Sequence, residues 1–144
     1  MWKDYAAYFP IHIVKEKDLD PKFDYMVGSH PHGILCSGAF CNFATEGTEI
    51  SQVFPGITFT MTTLSSQFVM PLHRELFLCS GSITASRKAI NHVYAHSSGG
   101  NAVVIIVGGA DESLDTHPDL DKITLILRSR KGFIRLALLN GSVC

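Results

Sequence analysis

The residues best suited to chemistry stand at His30-Pro31-His32-Gly33, where two imidazoles flank one proline. The proline fixes its own φ and biases His30 toward an extended backbone. Gly33 permits close approach of backbone or substrate. An imidazole with an unperturbed pKa of about 6.5 takes a proton at neutral pH and gives it back. A hydroxyl group needs that service, because it is a poor nucleophile until its proton leaves. Two other readings stay open from these residues alone. Either histidine can be structural, and a His-x-His pair on a strand presents both rings to one side, as a metal would require. No third ligand is evident, since His73 and His92 lie in dissimilar contexts, and no metal site is expected.

A second group is Val107-Gly108-Gly109-Ala110-Asp111-Glu112-Ser113, placed after an apolar run. In open α/β sheets ligands collect at the carboxyl ends of strands. Gly108 and Gly109 clear space there, and Glu112 has the chemistry to orient a hydroxyl or an imidazole. A turn carrying solvated acids fits equally well. The third group is Arg128-Ser129-Arg130-Lys131-Gly132-Phe133, just ahead of a helical pattern. Cations at a helix amino terminus oppose the helix dipole, so stability does not explain Arg128, Arg130 and Lys131. An anion would find free backbone N–H groups and charged side chains together. A solvated basic loop facing anionic lipid headgroups is the alternative. Glu46 falls one or two helical turns beyond the histidines and also reads as an exposed helix-end acid. Cys36 and Cys41 have no base nearby in sequence to make either a nucleophile.

The elements that must position these groups alternate short apolar runs with longer amphipathic ones, the pattern of an α/β domain. Residues 24–28 read as a short strand entering the histidine turn, and residues 34–43 as the helix after it. Phe54-Pro55-Gly56 is turn chemistry. Residues 72–78 leave helix and strand open. Residues 86–96 predict a helix, with Ala89, Ile90, Val93 and Tyr94 on one face. Residues 103–107 are continuous and β-branched, hence a strand buried on both faces. Residues 123–127 predict another strand and residues 132–139 another helix. The expectation is a mixed sheet with flanking helices in one domain, its strand order open.

The whole chain sets outer bounds. Its 144 residues suit one domain, and 46% hydrophobic against 17% charged residues exclude a disordered tail. With 12 basic and 13 acidic residues the net charge is −1, which argues against a dedicated nucleic-acid binder. Four cysteines without a CxxC pair suggest a reducing, cytosol-facing setting, with thiols buried as small apolar groups. No apolar run reaches the roughly 18 residues of a bilayer-spanning helix. Residues 5–13 load aromatics and aliphatics at the amino end, suited to a membrane interface or to core packing.

Taken in order, these motifs resemble the diacylglycerol acyltransferase type 2 family, which includes monoacylglycerol and wax-alcohol acyltransferases. The matching pieces are YFPI at Tyr8, HPHG at His30, GAFCNFATE at Gly38, FPGI at Phe54, IIVGGADESLD at Ile105 and RSRKGFIRLAL at Arg128. The resemblance covers nearly the whole chain. It implies a glycerolipid-acyltransferase-like fold and an enzyme that moves a fatty acyl group from acyl-CoA to a mono- or diacylglycerol hydroxyl. Acyl-CoA would be a co-substrate, with no resident cofactor. A wax-alcohol or retinol acyltransferase and a non-catalytic short form stay as alternatives. The resemblance also implies an endoplasmic-reticulum membrane protein with its site on the cytosolic face, with lipid droplets as a second location and homo-oligomers left open.

For the site, the resemblance places the HPHG segment in the active site, with His30 and His32 in catalysis and Gly33 beside them, while Gly108 and Gly109 are placed near substrate by their position after the apolar run. Arg128, Arg130 and Lys131 would hold the coenzyme A phosphates. The looser glycerolipid acyltransferase superfamily carries an acid five residues after its histidine. That position is Leu35 here, which leaves Glu46 or Glu112 to stand in. Family members also begin with a membrane hairpin and continue well past the final helix. Residues 1–144 are therefore expected to be a partial acyltransferase domain.

Overall fold

A computed structural model describes residues 1–30, 35–108, 125 and 127–144. In chain order the elements are α1 (Trp2–Tyr8), β1 (Tyr25–Ser29), α2 (Ser37–Phe43), α3 (Ile50–Val53) and β2 (Thr58–Thr63). A single turn of 3-10 helix (Ser65–Phe68), α4 (His73–Cys79), β3 (Ile83–Thr84) and α5 (Arg87–Ala95) follow. The last two are β4 (Asn101–Ile106) and α6 (Gly132–Asn140). The four strands form one sheet in the order β1-β4-β2-β3. Every pairing among the described strands is parallel, which agrees with the expected α/β sheet and flanking helices, and the described part of the sheet is parallel rather than mixed. The physical reason is in the connections: helices separate the strands throughout, as parallel pairs require, and no two-residue hairpin joins any of them. Beyond β1, Val143 makes a further parallel bridge to Tyr25. The Met26 N–H donates to the Val143 carbonyl at 2.7 Å and the Val143 N–H to the Asp24 carbonyl at 2.8 Å.

β4 is central, and its run Ala102, Val103 and Val104 is wholly buried. Alternate residues face two layers. On one side Met26 and Val103 pack with Ile90 and Tyr94 of α5 and Ala137 of α6. On the other, Tyr25 and Ala102 pack with Ile57, Phe54 and Phe59. Phe43 of α2 joins that second layer through Phe59, ring centroids 5.6 Å apart. The strand and helix expected at residues 24–28 and 86–96 are β1 and α5. Ser86 starts α5 by accepting the Ala89 N–H at 3.2 Å. The helix expected over 34–43 is α2 at Ser37–Phe43, and the one over 132–139 is α6, which stops at Gly141 with φ +66°.

Of the strand expected at residues 123–127, only Leu125 and Leu127 are described, and neither lies in a strand. Residues 72–78 resolve to the helix α4. None of the four cysteines is in a disulfide, but only Cys41 is fully buried; Cys79 and Cys144 are exposed, against the expectation of buried thiols. Among the described residues no helix is long and apolar enough to cross a membrane.

Candidate active site

Parallel pairing puts the carboxyl ends of the strands on one edge. In the β1–β4 register Ser29 lies beside Ile106, so His30 and Val107 are the next residues out, with Gly108 following. This is the edge at which parallel sheets take ligands. His30 is half-buried, and its Nδ1 is shielded from solvent. Its ring turns back along the strand over Gly28. A β-carbon on Gly28 would meet His30 Nε2 at 3.4 Å and Cδ2 at 3.6 Å. Residues i and i+2 of a strand share a face, so the glycine provides the floor on which the imidazole rests. Phe133, in the first turn of α6, closes the same spot, with Cε2 3.6 Å from that β-carbon position. Its ring also packs against the Met26–Ile90–Tyr94 core.

The basic cluster reaches the same edge from α6. Arg130 Nη2 donates to the Gly108 carbonyl at 3.4 Å. Lys131 occupies the N-cap of α6 and Arg128 the preceding turn, both exposed, and no acid lies in the helix's first turn. The His30 imidazole and the Arg130 guanidinium thus stand at the neighbouring ends of β1 and β4, and the amino terminus of α6 follows Arg130 directly in the chain. A hydroxyl can be deprotonated there while a phosphate-bearing partner is held alongside.

Glu46 is exposed, and its carboxylate accepts from the Ser51 hydroxyl at 3.0 Å and from the Ser51 N–H at 3.5 Å. Its hydrogen bonds serve the first turn of α3 and not a histidine. His32, Gly33, Gly109 and Glu112 lie outside the described residues. Burial pushes the Cys36 thiol up, the opposite of what an activated nucleophile needs. Sequence reasoning missed Gly28 and Phe133. The signal for Gly28 was a glycine two residues before a histidine on a strand, and the signal for Phe133 was its place right after the basic cluster.

Comparison with known proteins gives the family. The family model described as diacylglycerol acyltransferase matches residues 1–144. The chain is 46% identical over 142 residues to 2-acylglycerol O-acyltransferase 1 of Bos taurus, covering 99% of this chain and 42% of that protein. Identity is 46% to diacylglycerol O-acyltransferase 2 of Danio rerio, covering 99% and 39%. It is 48% to acyl-CoA wax alcohol acyltransferase 1 of Homo sapiens, covering 99% and 42%. The chain therefore spans about two fifths of the length of these curated relatives. No solved structure matches.

Proposed function

Since the chain belongs to the diacylglycerol acyltransferase family, we propose that it carries the catalytic base and the donor-binding cations of an acyl-CoA-dependent O-acyltransferase. The acceptor is the hydroxyl of a mono- or diacylglycerol. The single observation that carries this reading is that His30 and the Gly108 carbonyl to which Arg130 donates follow the neighbouring carboxyl ends of β1 and β4.

In the proposed reaction His30 removes the acceptor's hydroxyl proton as the oxygen attacks the thioester carbonyl. Backbone N–H groups at the strand ends stabilise the oxyanion. The C–S bond then breaks, and the imidazolium returns its proton to the departing coenzyme A thiolate. No protein nucleophile is needed, because the thioester is already activated, and no resident cofactor enters. Arg128, Arg130 and Lys131 hold the donor's phosphates. His32 and Gly33 join the proposed site through the HPHG segment, and Gly109 and Glu112 through their sequence position after β4. The acylglycerol acceptor is dissolved in lipid, which places the reaction at a membrane, with the cytosolic face of the endoplasmic reticulum as the proposed location.

The test uses membranes from cells that make no neutral lipid, given labelled oleoyl-CoA with a monoacylglycerol, a diacylglycerol or a fatty alcohol in turn. The chain is compared with a polypeptide of its relatives' length that contains it. Acylated product that disappears with His30→Ala supports the assignment and names the acceptor. Full transfer by His30→Ala refutes it.

A further inference from the structure

The proposed transfer chemistry leaves one feature of the site's edge unused. In the shared register Val27, Val104 and Met61 lie in one row across β1, β4 and β2. Leu64, just past β2, therefore stands on the same edge as His30, two strands away, about 10 Å at the usual strand spacing. From there to residue 78 the chain shows aliphatic side chains to solvent. Leu64 is 68%, Val69 80% and Leu72 82% exposed, with Met70, Leu76 and Leu78 also on the surface.

The segment is anchored. Phe68 and Phe77 pack at a tilt with ring centroids 6.2 Å apart, and Phe77 meets Phe40 of α2 edge-on at 5.8 Å. Phe40 in turn meets Trp2 at 5.5 Å. Aromatic rings thus hold the segment from within while aliphatic chains face out. Leu72 adopts φ +69°, a conformation leucine rarely takes, and Glu75 accepts its N–H at 2.8 Å to hold it there. Arg74 is an exposed cation of the segment, and Arg130, flanked in sequence by Arg128 and Lys131, reaches the carboxyl edge at Gly108.

Contiguous exposed apolar surface marks an interaction site. Protein interfaces are built on outward aromatic anchors, whereas here the aromatics face inward. Aliphatic chains beside cations suit the interfacial zone of a bilayer bearing anionic headgroups. We propose that residues 64–78 form a lip that seats the carboxyl edge of the sheet on a phospholipid bilayer, with His30 directly behind it. This rests on the acyltransferase reading for its purpose but is tested without it.

Flotation of the 144-residue chain with phosphatidylcholine vesicles, with and without phosphatidylserine, provides the measurement. The chain should float, better with phosphatidylserine. Val69→Glu with Leu72→Glu should cut the bound fraction at least about tenfold. Leu138→Glu with Leu139→Glu is the control. Those leucines are 77% and 68% exposed, but near the end of α6 that leads to Val143 beside Tyr25, toward the opposite edge. Melting curves check that each variant folds, and Val69→Ser with Leu72→Ser replaces the glutamates if they prevent it. A parent chain that does not float, equal losses in lip and control variants, or a parent dimer dissolved by the lip variant would each overturn the proposal. His30→Ala should float like the parent, so loss of transfer and loss of seating are read separately.

Discussion

His30 Nε2 stands 3.4 Å from the point a β-carbon would occupy on Gly28. The imidazole is held by the absence of a side chain two residues earlier, with Phe133 closing the same spot from α6. An alanine at Gly28 makes ordinary contact at that distance. A valine adds two methyl groups on the ring's side and must push it away. In the polypeptide that shows transfer, Gly28→Ala should keep kcat within a few-fold. Gly28→Val should lower it about a hundredfold, the scale of a displacement of about 1 Å in a reacting group. Gly28 is exposed but its β-carbon position also meets Phe133, so melting curves are compared and the rate is read per folded molecule. Full rate in the valine variant would show that ring placement over Gly28 does not matter.

Arg130 gives a prediction about the donor. Its guanidinium touches the Gly108 carbonyl at 3.4 Å, at the end of β4, while Arg128 and Lys131 remain in solvent. A charge-assisted hydrogen bond contributes about 1.5–3 kcal/mol. Arg130→Ala should therefore raise KM for acyl-CoA about tenfold or more, with a smaller rise for Arg128→Ala. An acyl-pantetheine donor lacks the nucleotide phosphates and should lose far less. Equal losses with both donors would mean that Arg130 supports the strand end and does not bind phosphate.

How much of this was readable in the residues differs from element to element. β4 was plain, because Val103 to Ile106 is β-branched and apolar without a break, as a strand covered on both faces must be. α5 was plain through its 3- and 4-residue apolar spacing and the Ser86 cap. β2 was hidden, although it lies beside β4, because Thr58, Thr60, Thr62 and Thr63 break any apolar run. Threonine's branched side chain suits a strand, and Thr62 is buried all the same. α4 was ambiguous because its aliphatic residues face solvent, which removes the one-sided pattern a helix normally shows. Within the site the residue types of His30 and Arg130 were legible. Their placement on one edge was not, since it depends on β1 and β4 being neighbours, a long-range pairing that no local pattern encodes. Glu46 misled for the same reason: helical spacing toward the histidines says nothing about Ser51, which takes its carboxylate.

The opposite edge predicts stability without chemistry. Asp24 Oδ1 accepts from the Ser97 hydroxyl at 2.6 Å and from the Asn101 N–H at 3.0 Å, joining the start of β1 to the turn before β4. Ser97 also receives the Gly99 N–H at 2.9 Å and the Asn101 side-chain amide at 2.7 Å. Hydrogen bonds to a carboxylate are the strong ones. Asp24→Ala should cost about 2 kcal/mol in urea unfolding. Transfer per folded molecule should not change, because the network lies at the amino ends of the strands. A variant as stable as the parent would mean that water replaces the carboxylate at no cost.

Tyr94 sets how the fold responds to alkali. Its hydroxyl donates to the Tyr25 carbonyl at 2.9 Å across the α5–β1 contact. Burial pushes its phenol up to about 12 from an ordinary value near 10. Between those two values the unfolded chain releases a proton that the folded chain keeps, so the unfolded state gains as pH rises. The stabilising contribution is fully present below about pH 10 and is lost as pH climbs through about 12. Tyr94→Phe should cost about 1 kcal/mol at neutral pH through the lost hydrogen bond. It should also remove this part of the alkaline decline, so the stability gap between parent and variant narrows above pH 10. Urea unfolding of both proteins from pH 8 to 11.5 measures the gap directly. A gap that stays constant over that range would mean that the phenol titrates at its ordinary value and is not enclosed by β1 and α5.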